Sequence, residues 1–152
     1  MIIYISNVKY FSHFPGPPRC KSIGKRIEAS IKVAKAGYPI GFLVAPIFIY
    51  PNWKEDYHDL LLDLSNKLPN NLKFPVTFEV ISHRYTTIAK NRILNVFPKS
   101  QLPMNDEERK FKYGQFGYGK YVYTKESIDE IKEFFIKEIE EIFDNKKVLY
   151  II

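Results

Sequence analysis

Ile40-Gly-Phe-Leu-Val-Ala-Pro-Ile-Phe-Ile49 is an apolar run without a single charge, set between Pro39 and Pro51. A run this short, flanked by breakers, suits a strand buried on both faces of a parallel sheet. Working upstream, Ile23, Ile27, Ile31 and Ala34 recur at helical spacing behind Ser22, a plausible N-cap, and Gly37 supplies a stop. That spacing predicts a helix over residues 23–36. Working downstream, Trp53 and Tyr57 open a second helix with Tyr57, Leu60, Leu61, Leu64 and Leu68 on one side, ended by residues 69–71. Residues 76–82 alternate, with Phe78 and Val80 on one face and Thr77, Glu79 and Ile81 on the other, so a second strand follows. Thr86 or Thr87 can cap a third helix carrying Ile88, Ile93, Val96 and Phe97, closed by Pro98. Helix and strand in alternation are the rhythm of βαβ units: an α/β fold with a parallel sheet and right-handed crossovers. Ligands of such sheets gather beyond the carboxyl ends of the strands. Ala45, Pro46, Ser82, His83 and Arg84 are therefore the better site candidates.

Past Phe97 the pattern changes. Residues 112–123 interleave aromatic residues with glycines and read as a β-hairpin. Ser127-Ile-Asp-Glu130 has the form of a capping box for a helix to about Phe143, with Ile128, Ile131, Phe135, Ile139 and Ile142 inward. Residues 148–152 read as a last strand at a sheet edge. Residues 1–10 read as a short strand or a disordered leader. His13-Phe-Pro-Gly-Pro-Pro-Arg-Cys20 is a loop, since its prolines and glycine block both helix and ladder.

The 152 residues make one domain, and a formal charge of +6 tilts the partner toward a polyanion. The apolar stretch at residues 38–53 is too short and too interrupted by proline and glycine for a membrane span. Met1-Ile-Ile-Tyr-Ile5 lacks the flanks of a signal peptide, so the expectation is a cytoplasmic protein with no membrane partner. One cysteine, Cys20, excludes an internal disulfide, a cysteine-only zinc site and a three-cysteine iron–sulfur site within these residues. No metal site is read. No Gly-x-Ser-x-Gly elbow, P-loop or paired-carboxylate motif is present, which ranks a hydrolase-like α/β reading low.

Three blocks in order carry a resemblance. They are Ser22-Ile-Gly-Lys-Arg-Ile-Glu-Ala29 with Ala34-Lys-Ala-Gly-Tyr-Pro39 and Ala45-Pro-Ile47; Thr77-Phe-Glu-Val-Ile-Ser-His-Arg84; and Arg109-Lys-Phe-Lys-Tyr-Gly114 running on to Gly117-Tyr-Gly-Lys-Tyr-Val-Tyr123. Together they resemble the C-terminal region of the spore photoproduct lyase family of radical-SAM proteins. The resemblance divides the chain into a divergent leader or loop at 1–21 and a C-terminal half-enzyme at 22–152. It implies half of a partial (β/α) barrel, followed by a C-terminal hairpin, helix and edge strand. It further implies an enzyme that uses S-adenosylmethionine on a [4Fe–4S] cluster to revert the spore photoproduct, a thymine–thymine lesion, in double-stranded DNA. The family's three cluster cysteines and its hydrogen-donating cysteine lie upstream of the matched region. On this reading the chain alone binds neither cofactor, holds no catalytic residue, and completes a separate N-terminal half-enzyme polypeptide or is an inactive remnant.

The resemblance also distributes roles. Arg109, Lys110, Lys112 and Lys120 are expected at DNA phosphates, and Tyr113, Phe116, Tyr118 and Tyr121 against exposed bases. Gln115 and Phe116 stand at the hairpin tip, where the family has a basic residue and an aromatic; here the charge is gone. Ala45, Pro46 and Ile47 either face the cofactor or simply pack. Ser82, His83 and Arg84 mark another strand end: His83 is either a proton carrier or a structural residue, and Arg84 either anchors an anion or pairs with Glu79 or Asp59. His58 reads as a helix-surface residue. The rival from another class is a stand-alone, non-enzymatic DNA-binding module.

Overall fold

The computed structural model describes residues 2–5, 23–114 and 117–152. Along the chain run β1 (Ile2–Ile5), α1 (Ile23–Lys35), β2 (Gly41–Ile47), α2 (Trp53–Lys67), β3 (Val76–Ser82) and α3 (Thr87–Val96). A single 3₁₀ turn (Asp106–Glu108) then leads to β4 (Lys110–Tyr113), β5 (Gly119–Val122), α4 (Lys125–Ile142) and β6 (Lys146–Ile151). Strands β1, β2, β3 and β6 form one sheet in the order β1-β2-β3-β6, every neighbouring pair parallel; β4 and β5 form an antiparallel ladder of their own. The α/β class and the parallel sheet agree with the sequence reading, and the open alternative at residues 1–10 resolves to a strand at Ile2–Ile5 beside β2. Cys20, His13, the Ser22 cap and the Gln115–Phe116 tip lie outside the described residues.

Local chemistry explains the boundaries. α1 ends because Gly37 takes φ +81, where a side chain would strain, and its N–H reaches Ala34 O while the Tyr38 N–H reaches Val33 O. Thr86 caps α3 by accepting from the Ala89 N–H at 3.1 Å. The cap of α4 corrects the sequence reading. Thr124, not Ser127, is the N-cap: its Oγ1 accepts from the Ser127 N–H at 3.3 Å, and the helix starts at Lys125. Thr124 is extended and sits three residues before a Ser, so the same chemistry serves one turn earlier than the Ser127…Glu130 pair suggests.

The core lies between the sheet and α1, α2 and α4. Phe42, Val44, Phe78 and Val80 meet Ile27 from α1, Tyr57, Leu61 and Leu64 from α2, and Ile131, Phe135 and Ile139 from α4. Burying each such side chain is worth about 1.5–3 kcal/mol. Tyr57 is buried with its hydroxyl satisfied: it accepts from the Phe48 N–H and donates to Pro46 O. α3 forms where expected, behind its Thr86 cap, but lies off the core. None of its residues is buried, and Ile88 is 77% exposed, because the helix leaves the end of β3 toward β5 instead of lying on the sheet. Its apolar residues look like a core face in sequence and are not one within the described fold.

Candidate nucleic-acid interface at the end of the central strand

The carboxyl ends of β2 and β3 bring the expected site residues together. Ile47 and Ser82 are register partners, and the His83 N–H donates to Ile47 O at 2.9 Å. Ser82 is buried, its N–H held by Ile152 O. Ala45 and Ile47 are buried too, and the carbonyls of Pro46 and Ile47 already accept from the Tyr57 hydroxyl and the His83 N–H. What this segment presents outward is the half-buried Pro46 ring. Arg84 is exposed, and Glu79, one of its expected partners, instead accepts from the Tyr150 hydroxyl.

His83 is 9% exposed, its ring 4.5 Å from Phe48 and stacked 5.6 Å from Tyr85, and its Nδ1 has no hydrogen-bond partner. Burial first, and the Arg109 charge second, push its pKa down from 6.5 to about 4. A group this depressed stays neutral at physiological pH, which fits a structural residue better than a proton carrier. The linkage has a definite sign. Between pH 6.5 and about 4 the unfolded chain takes up a proton that the folded one refuses, so stability falls as the medium is acidified through that window. The limiting slope is about 1.4 kcal/mol per pH unit. His58, whose pKa is raised by its hydrogen bond to Glu138, contributes the opposite sign: stability present below 6.5 and lost as pH rises through its folded value. Its side chain is 46% exposed, so solvent screens that contribution. Urea melts from pH 7.5 to 4 should therefore show an acid limb that His83→Phe removes and His58→Ala does not. An acid limb unchanged in His83→Phe would locate the proton uptake elsewhere.

The hairpin is mounted on this strand end. Tyr85 and Tyr121 exchange both backbone bonds across an isolated bridge, at 3.1 and 2.7 Å, and their rings stack at 5.3 Å. The Tyr85 hydroxyl donates to Asp106 Oδ1, which also accepts from Lys90 Nζ. Arg109 is only 8% exposed: Nη1 donates to His83 O at 2.9 Å, Nη2 to Pro103 O at 2.8 Å, and the guanidinium lies 3.4 Å over the Tyr123 ring. Among the residues expected at phosphate, Arg109 is thus turned into the protein, while Lys110 and Lys112 are exposed and Lys120 half-exposed. Tyr121 is half-buried with one ring face against Tyr85 and an edge contact to Phe111. Tyr113 is 82% exposed and Tyr118 also projects.

Within the ladder Phe111 opposes Tyr121, Lys112 opposes Lys120, and Tyr113 opposes Gly119. Strand alternation puts the lysines on one face and Phe111, Tyr113 and Tyr121 on the other. Gly119 has a steric reason: a Cβ there would sit 1.9 Å from Phe111 Cζ, so the ring covers bare backbone. Two lysines directly opposite one another repel. Among the described residues no group of three or more His, Cys, Asp or Glu could hold a metal ion, and no helix is long and apolar enough to cross a membrane. Residues that sequence reasoning passed over are Tyr85, Lys90, Asp106 and Tyr123. An aromatic directly after a candidate strand-end block, as Tyr85 is, was the available signal.

Fold and site define an α/β protein whose parallel sheet carries a basic, aromatic hairpin at its carboxyl end. The chain belongs to the spore photoproduct lyase family, whose sequence profile matches residues 5–152. It is 50% identical over 145 residues to the spore photoproduct lyase of Clostridium acetobutylicum, covering 95% of this chain and 41% of that protein. It is 43% identical over 133 residues to the one from Bacillus subtilis, covering 88% and 39%. A solved spore photoproduct lyase complexed with dinucleoside spore photoproduct superposes with a TM-score of 0.88 at 36% identity, covering 98% of this chain and 43% of that one. A mutant form with bound AdoMet and the same dinucleoside gives 0.89 at 36% identity, covering 99% and 44%. The chain thus spans about two fifths of its relatives' length, which fits the C-terminal half expected from its sequence.

Proposed function

We propose that this chain is the substrate-gripping half of a radical-SAM lyase that returns the spore photoproduct in double-stranded DNA to two thymines. The observation that carries the reading is the Lys112–Lys120 pair, set directly across an antiparallel ladder with Lys110 on the same face. The pair is unfavourable in the free protein and is relieved by a polyanion laid across it. In this reading Lys110, Lys112 and Lys120 take phosphates, Tyr113 and Tyr118 offer open faces to unstacked bases, and Gln115 and Phe116 join the contact set. Arg109 and Tyr121, being engaged internally, leave the contact set. Damaged duplex fits such a surface, because a lesion enzyme must take its target out of the stack. The dinucleoside spore photoproduct carried by solved relatives supports the same substrate.

The parallel strands form half of a partial (β/α) barrel in this proposal. The other strands belong to the part of the family's length outside the matched region. A [4Fe–4S] cluster that activates S-adenosylmethionine needs three thiolates and one open iron. One cysteine does not make that donor set. Their contribution to the cofactor is limited to the wall formed by Ala45, Pro46 and Ile47, with Pro46 outermost. The cluster ligands come instead from an N-terminal half, either upstream in the same protein or a separate half-enzyme polypeptide, and the work is done in the cytoplasm.

Fluorescence anisotropy with lesion-bearing duplex, followed by mixing with a cluster-bearing N-terminal half, S-adenosylmethionine and a reductant, tests the proposal. Salt-dependent binding by the chain alone and repair only after mixing are expected. Absence of binding at low salt rejects the DNA reading. Repair by the chain alone rejects the division of labour. Binding that never leads to repair leaves the DNA-binding module as the better account.

A further inference from the structure

Arg109 stands one residue before β4 and Tyr123 one residue after β5, so the pair closes the root of the hairpin at the register position beyond Lys110 and Val122. The guanidinium makes three contacts there. One face stacks on Tyr123, one nitrogen holds the carbonyl of His83 at the end of β3, and another holds the carbonyl of Pro103 in the approaching loop. Three separate stretches of chain converge on this one planar cation. We infer that Arg109 is a positioning residue, which sets the hairpin against the carboxyl end of the sheet and does not itself touch nucleic acid. The planar fork is what the geometry uses: two carbonyls and an aromatic face are reached at once, and a lysine ammonium, though it carries the same charge, has no plane to stack and no fixed fork. The Tyr85–Tyr121 bridge is the second tether. It sits beside the first, and the Tyr123 hydroxyl, which accepts from the Ile49 N–H at 2.9 Å, is a third, so loosening Arg109 removes the one tether that joins the hairpin to both the β3 end and the Pro103 loop.

The consequence for binding rests on the reading of the hairpin as the DNA contact; the consequence for hairpin order does not. Arg109→Lys and Arg109→Gln are compared with Lys112→Ala in the full chain, by amide hydrogen exchange without DNA and by duplex binding across a salt series. Exchange at the Tyr85 and Tyr121 amides is expected to rise about tenfold or more in both Arg109 variants, with β2 and β3 amides unchanged as the internal measure of folding. Binding should weaken in both with the salt slope kept, whereas Lys112→Ala lowers the slope by about 0.9. If Arg109→Lys binds like the parent while Arg109→Gln loses about 0.9 in slope, Arg109 is a phosphate contact and the inference is overturned. Hairpin exchange unchanged in both variants overturns it as well. Should a variant not fold, the parent protein decides: the Arg109 guanidinium N–H signals in its NMR spectrum must be slow to exchange and must stay in place when DNA is added. If the parent does not bind DNA at all, the functional proposal fails and the exchange data still judge the role of Arg109.

Discussion

Replacing Lys110, Lys112 and Lys120 together by alanine is expected to weaken duplex binding by about two to three orders of magnitude near 0.1 M salt, and to flatten the salt dependence by about 2.7 log units per decade. The estimate follows from counterion release: each phosphate contact contributes about 0.9 to the slope, and one decade below molar salt that is close to tenfold in affinity per contact. All three side chains project from one small ladder, and Lys112 and Lys120 face each other across it. Their removal takes away repulsion in the free protein, so the triple variant should melt no lower than the parent. That combination separates lost contact from lost fold. Tyr113→Ala makes the contrast: stacking is worth about 1–3 kcal/mol per base and leaves the salt slope alone. A triple variant that binds with the parent's slope would remove these lysines from the interface.

The parts legible in the sequence were those set by a local period. Phe78 and Val80 alternate with Thr77, Glu79 and Ile81, and the burial of β3 alternates likewise. Ile131, Phe135 and Ile139 recur at helical spacing and all lie in the core. The hairpin was legible through its glycines. Arg109 was not, because one residue away from Lys110 it reads as another member of a basic cluster; its direction is set by the turn at Asp106–Glu108 and by Tyr123, a partner on the far side of the ladder. α3 formed where its threonine cap and Pro98 placed it, but what it packs against was not legible. Ile88 and Val96 satisfy the pattern of a packed helix, yet pattern states only that a face is apolar and says nothing of what lies against it.

The same contrast yields the second large effect. Phe78→Ala is expected to cost about 3–5 kcal/mol in unfolding free energy, and Ile88→Ala less than about 0.5 kcal/mol. Phe78 is fully buried at the centre of the sheet, in register with Phe42 on β2 and Val148 on β6, its ring 5.9 Å from that of Phe42 and 4.8 Å from that of Phe143 at the end of α4. Truncation there empties a space walled by rigid strands on both sides, and strands held in a ladder cannot close in to refill it. Against a typical total of about 5–15 kcal/mol, such a loss leaves the domain marginal at best. Ile88 has the larger apolar reputation in a helix pattern and almost nothing to lose, since most of its surface already meets water. Urea melts of the two variants measure both costs through the shift in midpoint at constant m. A large cost at Ile88 would mean that the apolar face of α3 is covered in solution by something outside the described residues.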